Sequence, residues 1–315
     1  VILSERAMYE NQPRFLLYEE LTAAAFRVHP YHHEVIGDMV DLKTISRDDL
    51  YTHYRRHYNP ANAIVVVVGD FDSTEILVRL QELFGHIPSG EVTAPVLREE
   101  PVQPGERRVI VSGPGDTSYL TFAYRAPGAA HPDYPALTLL NAAFSGGGSL
   151  GMFGGGGSNR SSRLYKALVT SELAAGANGS LFPTIDPFLY TISAVVRAGR
   201  TLSEVEQVLE VEIMRLRSEP ITPAELAKAL SRARAQFIMA GESISGQAQL
   251  IGAAEATTGD FRWFESVLDR LNRVTHEDID RVLNEYIQPR YRTVGWYVPS
   301  EAGGKSEVSG DPEKP

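Results

Sequence analysis

Apolar and polar residues follow two rhythms along this chain. In "RFLLYEELTAAAF" (Arg14–Phe26) apolar positions recur with the spacing of an amphipathic helix. The preceding "VILSERAMYENQ" reads as the end of another helix, stopped by Pro13. "HPYHHEVIGDM" (29–39) carries no period and reads as a loop. Ser46 and Asp49 form a capping box that opens a helix over "RDDLYTHYRRHY", and Asn59-Pro60 closes it. "AIVVVVGDF" (63–71) is a short aliphatic run bounded by Gly69-Asp70, the pattern of a buried strand. Ser73–Phe84 is helical again. From Ser89 to Gly105 recurrent prolines indicate an interdomain linker.

A second unit starts at Glu106. "ERRVIVSG" and "TSYLTFAYRAP" predict two strands, and His131–Phe144 ("HPDYPALTLLNAAF") a helix. Another helix is expected over 159–174, then strands near 175–183 and 187–197. Helices run from Leu202 to Ile287, and "YRTVGWYVP" closes the unit as a strand. The tail "SEAGGKSEVSGDPEKP" is charged and rich in Gly and Pro, a composition that disfavours a packed core.

Between the helix ending at Phe144 and the one opening near 159, eight of the fourteen residues from Ser145 to Ser158 are glycine. Glycine loses the most backbone entropy on ordering, so such a run is a phosphate cradle, a binding loop or a linker. A phosphate loop needs G-x-x-x-x-G-K-[ST] entered from a strand. Here the run follows a helix and the next lysine is Lys166, which leaves the binding loop and the linker.

The 315 residues, 43% hydrophobic and 22% charged, fit a globular protein of roughly two domains. A net charge of −10 disfavours nucleic acid and anionic membrane as partners. No cysteine is present, which excludes disulfides, thiolate catalysis and cysteine-bound zinc. The longest aliphatic run, Ala63–Val68, is far too short for a membrane span. Composition does not fix a compartment.

The chain also repeats itself. "SRDDLYTHYRRHYNP" from Ser46 and "THEDIDRVLNEYIQP" from Thr275 match at a constant offset of 229 residues, pairing Asp49 with Asp278, Leu50 with Ile279 and Pro60 with Pro289. Two unrelated capped helices would look similar, but a duplicated domain explains the β-rich run that follows each. From Glu106 to Thr275 the second copy runs 169 positions, whereas from Val1 to Ser46 the first runs 45. On this logic roughly 125 residues of the first copy would precede Val1.

Three phrases, "VILSERAMYENQP", "AAAFRVHPYHHEVIGDMVDLKTISRDDLYTHYRRHYNPANAIVVVVGDFD" and "SSRLYKALV", resemble the insulinase/pitrilysin family of zinc metallopeptidases, in the branch similar to mitochondrial processing peptidase. The resemblance covers about residues 1–299. It implies an α+β fold of tandem duplicated domains, each a mostly antiparallel sheet packed with helices, the first incomplete. The expected boundaries are 1–88 for the C-terminal part of the first domain, 89–105 for the linker, 106–299 for the second domain and 300–315 for a disordered tail.

The resemblance also implies chemistry. The family binds Zn²⁺ through an inverted motif, H-x-x-E-H, whose spacing puts two histidines on one helical face with a glutamate as general base. A later glutamate is the third ligand, and its place here is Glu5. None of the eight histidines lies in an H-x-x-E-H, so the chain as it stands is expected not to hold zinc well or to hydrolyse peptides. The intact form would be a zinc-dependent metalloendopeptidase acting on peptides or unfolded segments. The alternative is a noncatalytic glycine-loop subunit, or a scaffold like the respiratory core proteins. A metal-independent binding module is a more distant rival.

Two local clusters imitate metal sites. "HPYHHE" (His29–Glu34) groups three histidines, but Pro30 and the loop setting remove helical spacing. His53 and His57 are one turn apart on a helix, yet Arg55 and Arg56 lie between them and no acid at 54–56 can act as base. The family's Arg/Tyr pair, which binds substrate backbone, would fall near Val169 and Gly176. No arginine stands between Arg163 and Arg197, so a homologous partner subunit would supply that half. The family's noncatalytic subunit carries a glycine-rich loop ahead of an "SRLY"-type helix. By that likeness Gly146, Gly147, Gly148, Gly154, Gly155, Gly156 and Gly157 are a substrate-facing loop, the plain linker remaining the other reading.

Overall fold

The computed structural model describes residues 1–92, 94–147 and 160–300. Helices α1 (Ile2–Tyr9), α2 (Pro13–Ala25), α3 (Met39–Thr44), α4 (Arg47–His57) and α5 (Ser73–Phe84) form the first part. The second contains β1 (Arg107–Gly113), β2 (Tyr119–Ala126), α6 (Tyr134–Phe144), α7 (Arg163–Tyr165), β3 (Ala174–Leu181), β4 (Phe188–Val196), α8 (Leu202–Ser218), α9 (Pro223–Ala240), α10 (Ile244–Thr258), α11 (Trp263–Asn272), α12 (His276–Tyr286) and β5 (Arg292–Pro299). The fold is α+β.

The five strands make one sheet in the order β1-β5-β2-β4-β3. Only β1 and β5 run parallel; the other pairs are antiparallel. Alternation along β2 sends Leu120, Phe122 and Tyr124 to one face, where they are almost fully buried under α8 and α12, with α6 packed beside them on β3. Burying each such side chain contributes about 2 kcal/mol. The opposite face is covered over β1, β5 and β2 by α2. That contact is close: a Cβ on Gly295 would lie 2.9 Å from Leu17 Cδ1 and 3.0 Å from Leu21 Cδ1. Residues of the first part thus complete the second part's layers, which no reading of α2 as a first-domain helix anticipates.

The duplication extends to hydrogen bonds. Helices α4 and α12, and the 3₁₀ turns Pro60–Asn62 and Pro289–Tyr291 after them, share the offset of 229 at every boundary. Ser46 Oγ accepts from Asp49 N at 3.2 Å while Asp49 Oδ2 accepts from Ser46 N at 3.0 Å; Thr275 and Asp278 repeat both bonds at the same lengths. The ends of α1 and α9 (Tyr9, Ala240), and the starts of α2 and α10 (Pro13, Ile244), are related by 231. By these offsets Gly252 matches Leu21 and Val66 matches Gly295. Gly252 accordingly packs near Val66, its ideal Cβ position 3.4 Å from Val66 Cγ2. Each unit lays one helix on the other's closing segment.

Three expectations are corrected. The run Ala63–Gly69 is not a buried strand: it pairs with no strand among the described residues, and Val65 and Val67 are 61% and 43% exposed. Its Ala63 is extended (φ −121°, ψ 139°). The helix expected over 159–174 reduces to α7 and a π-helical turn, Lys166–Thr170, that ends before Glu172 at φ +61°. Helix α3 starts at Met39, inside the stretch expected to be loop; its six residues are too few to show a clear period.

Candidate functional site

The glycine run leaves α6 through a buried polar hinge. Asn141, near the end of α6, and Ser145, its C-cap, are each 1% exposed and lie one turn apart. Ser145 Oγ lies 2.8 Å from Asn141 Oδ1 and 2.9 Å from the Asn141 carbonyl, and accepts from Gly147 N at 3.0 Å. Asn141 Nδ2 points to the Gly179 carbonyl of β3 at 3.4 Å. Gly179 has no room for a side chain, since a Cβ would come within 2.3 Å of Asn141 Oδ1. Gly146 adopts φ +71°, a left-handed turn suited to glycine. Gly146 and Gly147 are thereby pinned to β3. Gly148, Gly154, Gly155, Gly156 and Gly157 lie outside the described residues.

The far end is held electrostatically. Ser162 Oγ caps α7 by accepting from Tyr165 N at 3.2 Å. Arg163 grips Glu225 of α9 with two bonds, Nε–Oε1 at 2.8 Å and Nη2–Oε2 at 2.7 Å, and donates to the carbonyls of Glu219 and Pro220. Hydrogen bonds from Arg163 pull the Glu225 carboxylate down to about 2, against the opposing effect of burial. The near end of the run thus meets β3 through Asn141, and α7, beyond its far end, packs on β3 as well. That strand is at the sheet's edge, pairing only with β4 among the described residues, with a bulge between Ala174 and Gly176. An edge strand can accept an extended peptide. The polar pair inside "LTLLNAAFS" was the sequence signal for this hinge.

Glu5 lies on the exposed side of α1, where its Oε1 accepts from Tyr9 Oη at 3.2 Å. The other flank is packed: Arg6 is 6% exposed and bonds bidentately to Glu19 at 2.5 and 2.9 Å. Burial, and then the charge of Glu19, push the nearby Glu34 carboxyl above its ordinary value. Under the 231 offset Glu5 matches Gln236 of α9, a neutral amide whose Oε1 has no hydrogen-bond partner. Among the described residues no three His, Cys, Asp or Glu side chains are placed to hold a metal. A single exposed carboxylate does not make a zinc site.

The histidine clusters take structural positions. His29 is 5% exposed, accepts from Tyr31 N through Nδ1 at 3.2 Å, and sets Nε2 3.4 Å from Asp186 in the turn between β3 and β4. Glu100 of the expected linker accepts from the backbone N–H of Arg27, Val28 and His29, fastening this turn to the second unit. The rings of His53 and His57 lie 4.4 Å apart along α4, beside a groove of about 1070 Å³ shared with Tyr58, Val65 and Phe84. Val169 and Gly176, where the Arg/Tyr pair was looked for, fall in the π-turn and at the β3 bulge.

Comparison with known proteins agrees with this architecture. The family model described as "Peptidase M16 inactive domain" matches residues 44–233. An uncharacterized zinc protease of Mycobacterium leprae is 26% identical over 294 residues, covering 92% of this chain and 63% of that protein. The probable mitochondrial-processing peptidase subunit beta of Arabidopsis thaliana is 24% identical over 292 residues, covering 91% and 54%. The crystal structure of a protease from Helicobacter pylori superposes with a TM-score of 0.85 at 26% identity, over 95% of this chain and 70% of that one. The chain spans less than two thirds of the length of these two curated relatives. It belongs to the M16 peptidase family, and carries the fold of that family's inactive domain.

Proposed function

We propose that this chain is the peptide-holding, non-hydrolytic portion of a zinc-dependent metalloendopeptidase that cleaves peptides or unfolded segments. The observation that carries this reading is the glycine run anchored at both ends beside edge strand β3. An extended peptide would pair with the strand edge, bound through its backbone with loose sequence preference. Residues 1–88 are the C-terminal part of a catalytic unit, 89–105 the connection, 106–299 the noncatalytic unit and 300–315 a tail. Three things support that division: the relatives' greater length, the exposed face of Ala63–Gly69, and the exchange of a charged Glu5 for a neutral Gln236.

Glu5 is the residue through which this chain would contribute to a zinc centre, the other ligands being imidazoles that this sequence does not encode. The residues present do not fit the ion by themselves, and the chain's own part is to bind and align substrate. A second reading, a noncatalytic subunit that works with a homologous partner, is favoured by Arg163: it is committed to Glu225, so it is not free to hold substrate.

The chain alone should bind a fluorescent unstructured peptide without cutting it, and the full gene product should cleave the same peptide until a chelator is added. Cleavage by the chain alone, or chelator-insensitive cleavage by the full product, overturns the proposal. Activity that appears only after a homologous subunit is added selects the second reading.

A further inference from the structure

Beneath the N-terminal half of α2, a pocket of about 360 Å³ opens on the sheet face opposite the main core. Phe15, Leu17 and Leu21 of α2 give it an apolar roof, and the sheet side carries its polar groups: Thr121 of β2, Thr191 and Ser193 of β4, and Asn178 of β3. Arg14 of α2 and Tyr119 of β2 form one wall. The chain carries a net charge of −10, yet no aspartate or glutamate lines this pocket. Arg14 stacks its guanidinium 5.3 Å from the centroid of Tyr119 and pairs with no carboxylate among the described residues. Thr121 and Ser193 share one hydrogen bond at 3.0 Å, which leaves one of their two protons to donate. Asn178 Nδ2 spends one N–H on Ser180 Oγ at 3.2 Å, and the Thr191 hydroxyl is unpaired among the described residues. A cation and several unused donors, with no competing acceptor charge, select an anion.

We propose that this pocket binds the carboxylate of a peptide, as its C-terminus or an acidic side chain. The inference rests on the peptide-holding reading above. Asn178 links the two places: it lies on β3 just before Gly179, whose carbonyl meets the hinge of the glycine run, and alternation turns it to the pocket face. Arg14 stands over β2, two strands or about 10 Å in from β3, so a peptide whose end turns from the β3 edge across this sheet face would set a carboxylate against it and fix its register where backbone pairing alone does not.

The test is binding of three short unstructured peptides to the chain: one with a free C-terminal carboxylate, its C-terminal amide, and the amide carrying one internal aspartate. The acid or the aspartate peptide should bind about tenfold more tightly than the plain amide, as a charge-assisted bond implies. Arg14→Gln should abolish that advantage, Arg14→Lys should restore part of it, and the exposed position of Arg14 leaves the fold intact by circular dichroism. Which peptide gains identifies the source of the carboxylate. Equal binding of all three, unchanged by Arg14→Gln, overturns the carboxylate inference and leaves peptide holding standing. No binding of any peptide overturns both.

Discussion

Residues 47–69 and 276–298 begin alike and end in opposite surroundings. Both have a boxed helix, a 3₁₀ turn at Pro and an extended aliphatic segment. In the second, the segment becomes β5, flanked by β1 and β2, and Val294 and Tyr297 are fully buried. In the first, the equivalent Val65 and Val68 have no ladder partners among the described residues, and Val65 is 61% exposed. Local signals fix helix, cap and turn in both copies because their bonds are made within a few residues. Strand burial depends on distant segments, and only one copy has them in this chain.

The comparison breaks most sharply with a charge placed at the same point in each copy. Val294→Asp should unfold the second unit, at a cost of about 4 kcal/mol or more, because the carboxylate is buried without a partner. Val65→Asp in this chain should stay within about 0.5 kcal/mol. Urea denaturation followed by circular dichroism separates the two; equal losses would mean that Ala63–Gly69 is buried after all. The crossing helices give the next contrast. Gly295→Ala drives a Cβ against Leu17 and Leu21 and should destabilise by about 1–3 kcal/mol. At Gly252 the nearest atom is 3.4 Å away and the residue is helical, so Gly252→Ala should stabilise by up to about 1 kcal/mol.

A smaller effect should follow loss of the glycine run's far anchor. Arg163→Ala removes the bidentate partner of Glu225 and should cost about 1–2 kcal/mol at neutral pH, discounted for partial exposure. The folded Glu225 carboxylate titrates near 2, below its unfolded value. Its contribution is therefore complete above the unfolded carboxylate range near pH 4.5 and is lost as pH falls toward 2. The gap between the native protein and Arg163→Ala, measured by thermal unfolding, should be widest at neutral pH and close across that window. A gap that stays constant to pH 2 would place the stabilisation elsewhere.

Much of the fold was legible because its elements advertise themselves locally. The strands bounded by "TSYLTFAYRAP" and by 187–197 follow their apolar runs to within about two residues, and α8, α9 and α12 carry Thr–Glu or Thr–Asp boxes at their starts. What sequence did not reveal is where α2 lies. Its amphipathic face states that Leu17 and Leu21 need burial, not that Gly295, 270 or more residues away, will receive them. The site was half legible for the same reason. Eight glycines mark a loop, but Asn141–Gly179 and Arg163–Glu225 join residues distant in the chain and become visible only once β3 and α9 are in place.

The smallest expected effect sharpens the comparison by asking whether the two boxed helices are locally equal. Ser46→Ala and Thr275→Ala each remove one side-chain bond to an N3 amide, and each should cost about 1 kcal/mol in its own helix. The readouts should differ. Helix α12 packs Ile279, Val282 and Leu283 into the core, so Thr275→Ala should lower the global midpoint of unfolding. Helix α4 has no buried residue, so Ser46→Ala should leave the midpoint unchanged and appear only as faster amide exchange within Arg47–His57. A global shift from Ser46→Ala would mean that α4 unfolds together with the second unit, and that the exposed copy is coupled to the buried one more tightly than the Gly252–Val66 contact suggests.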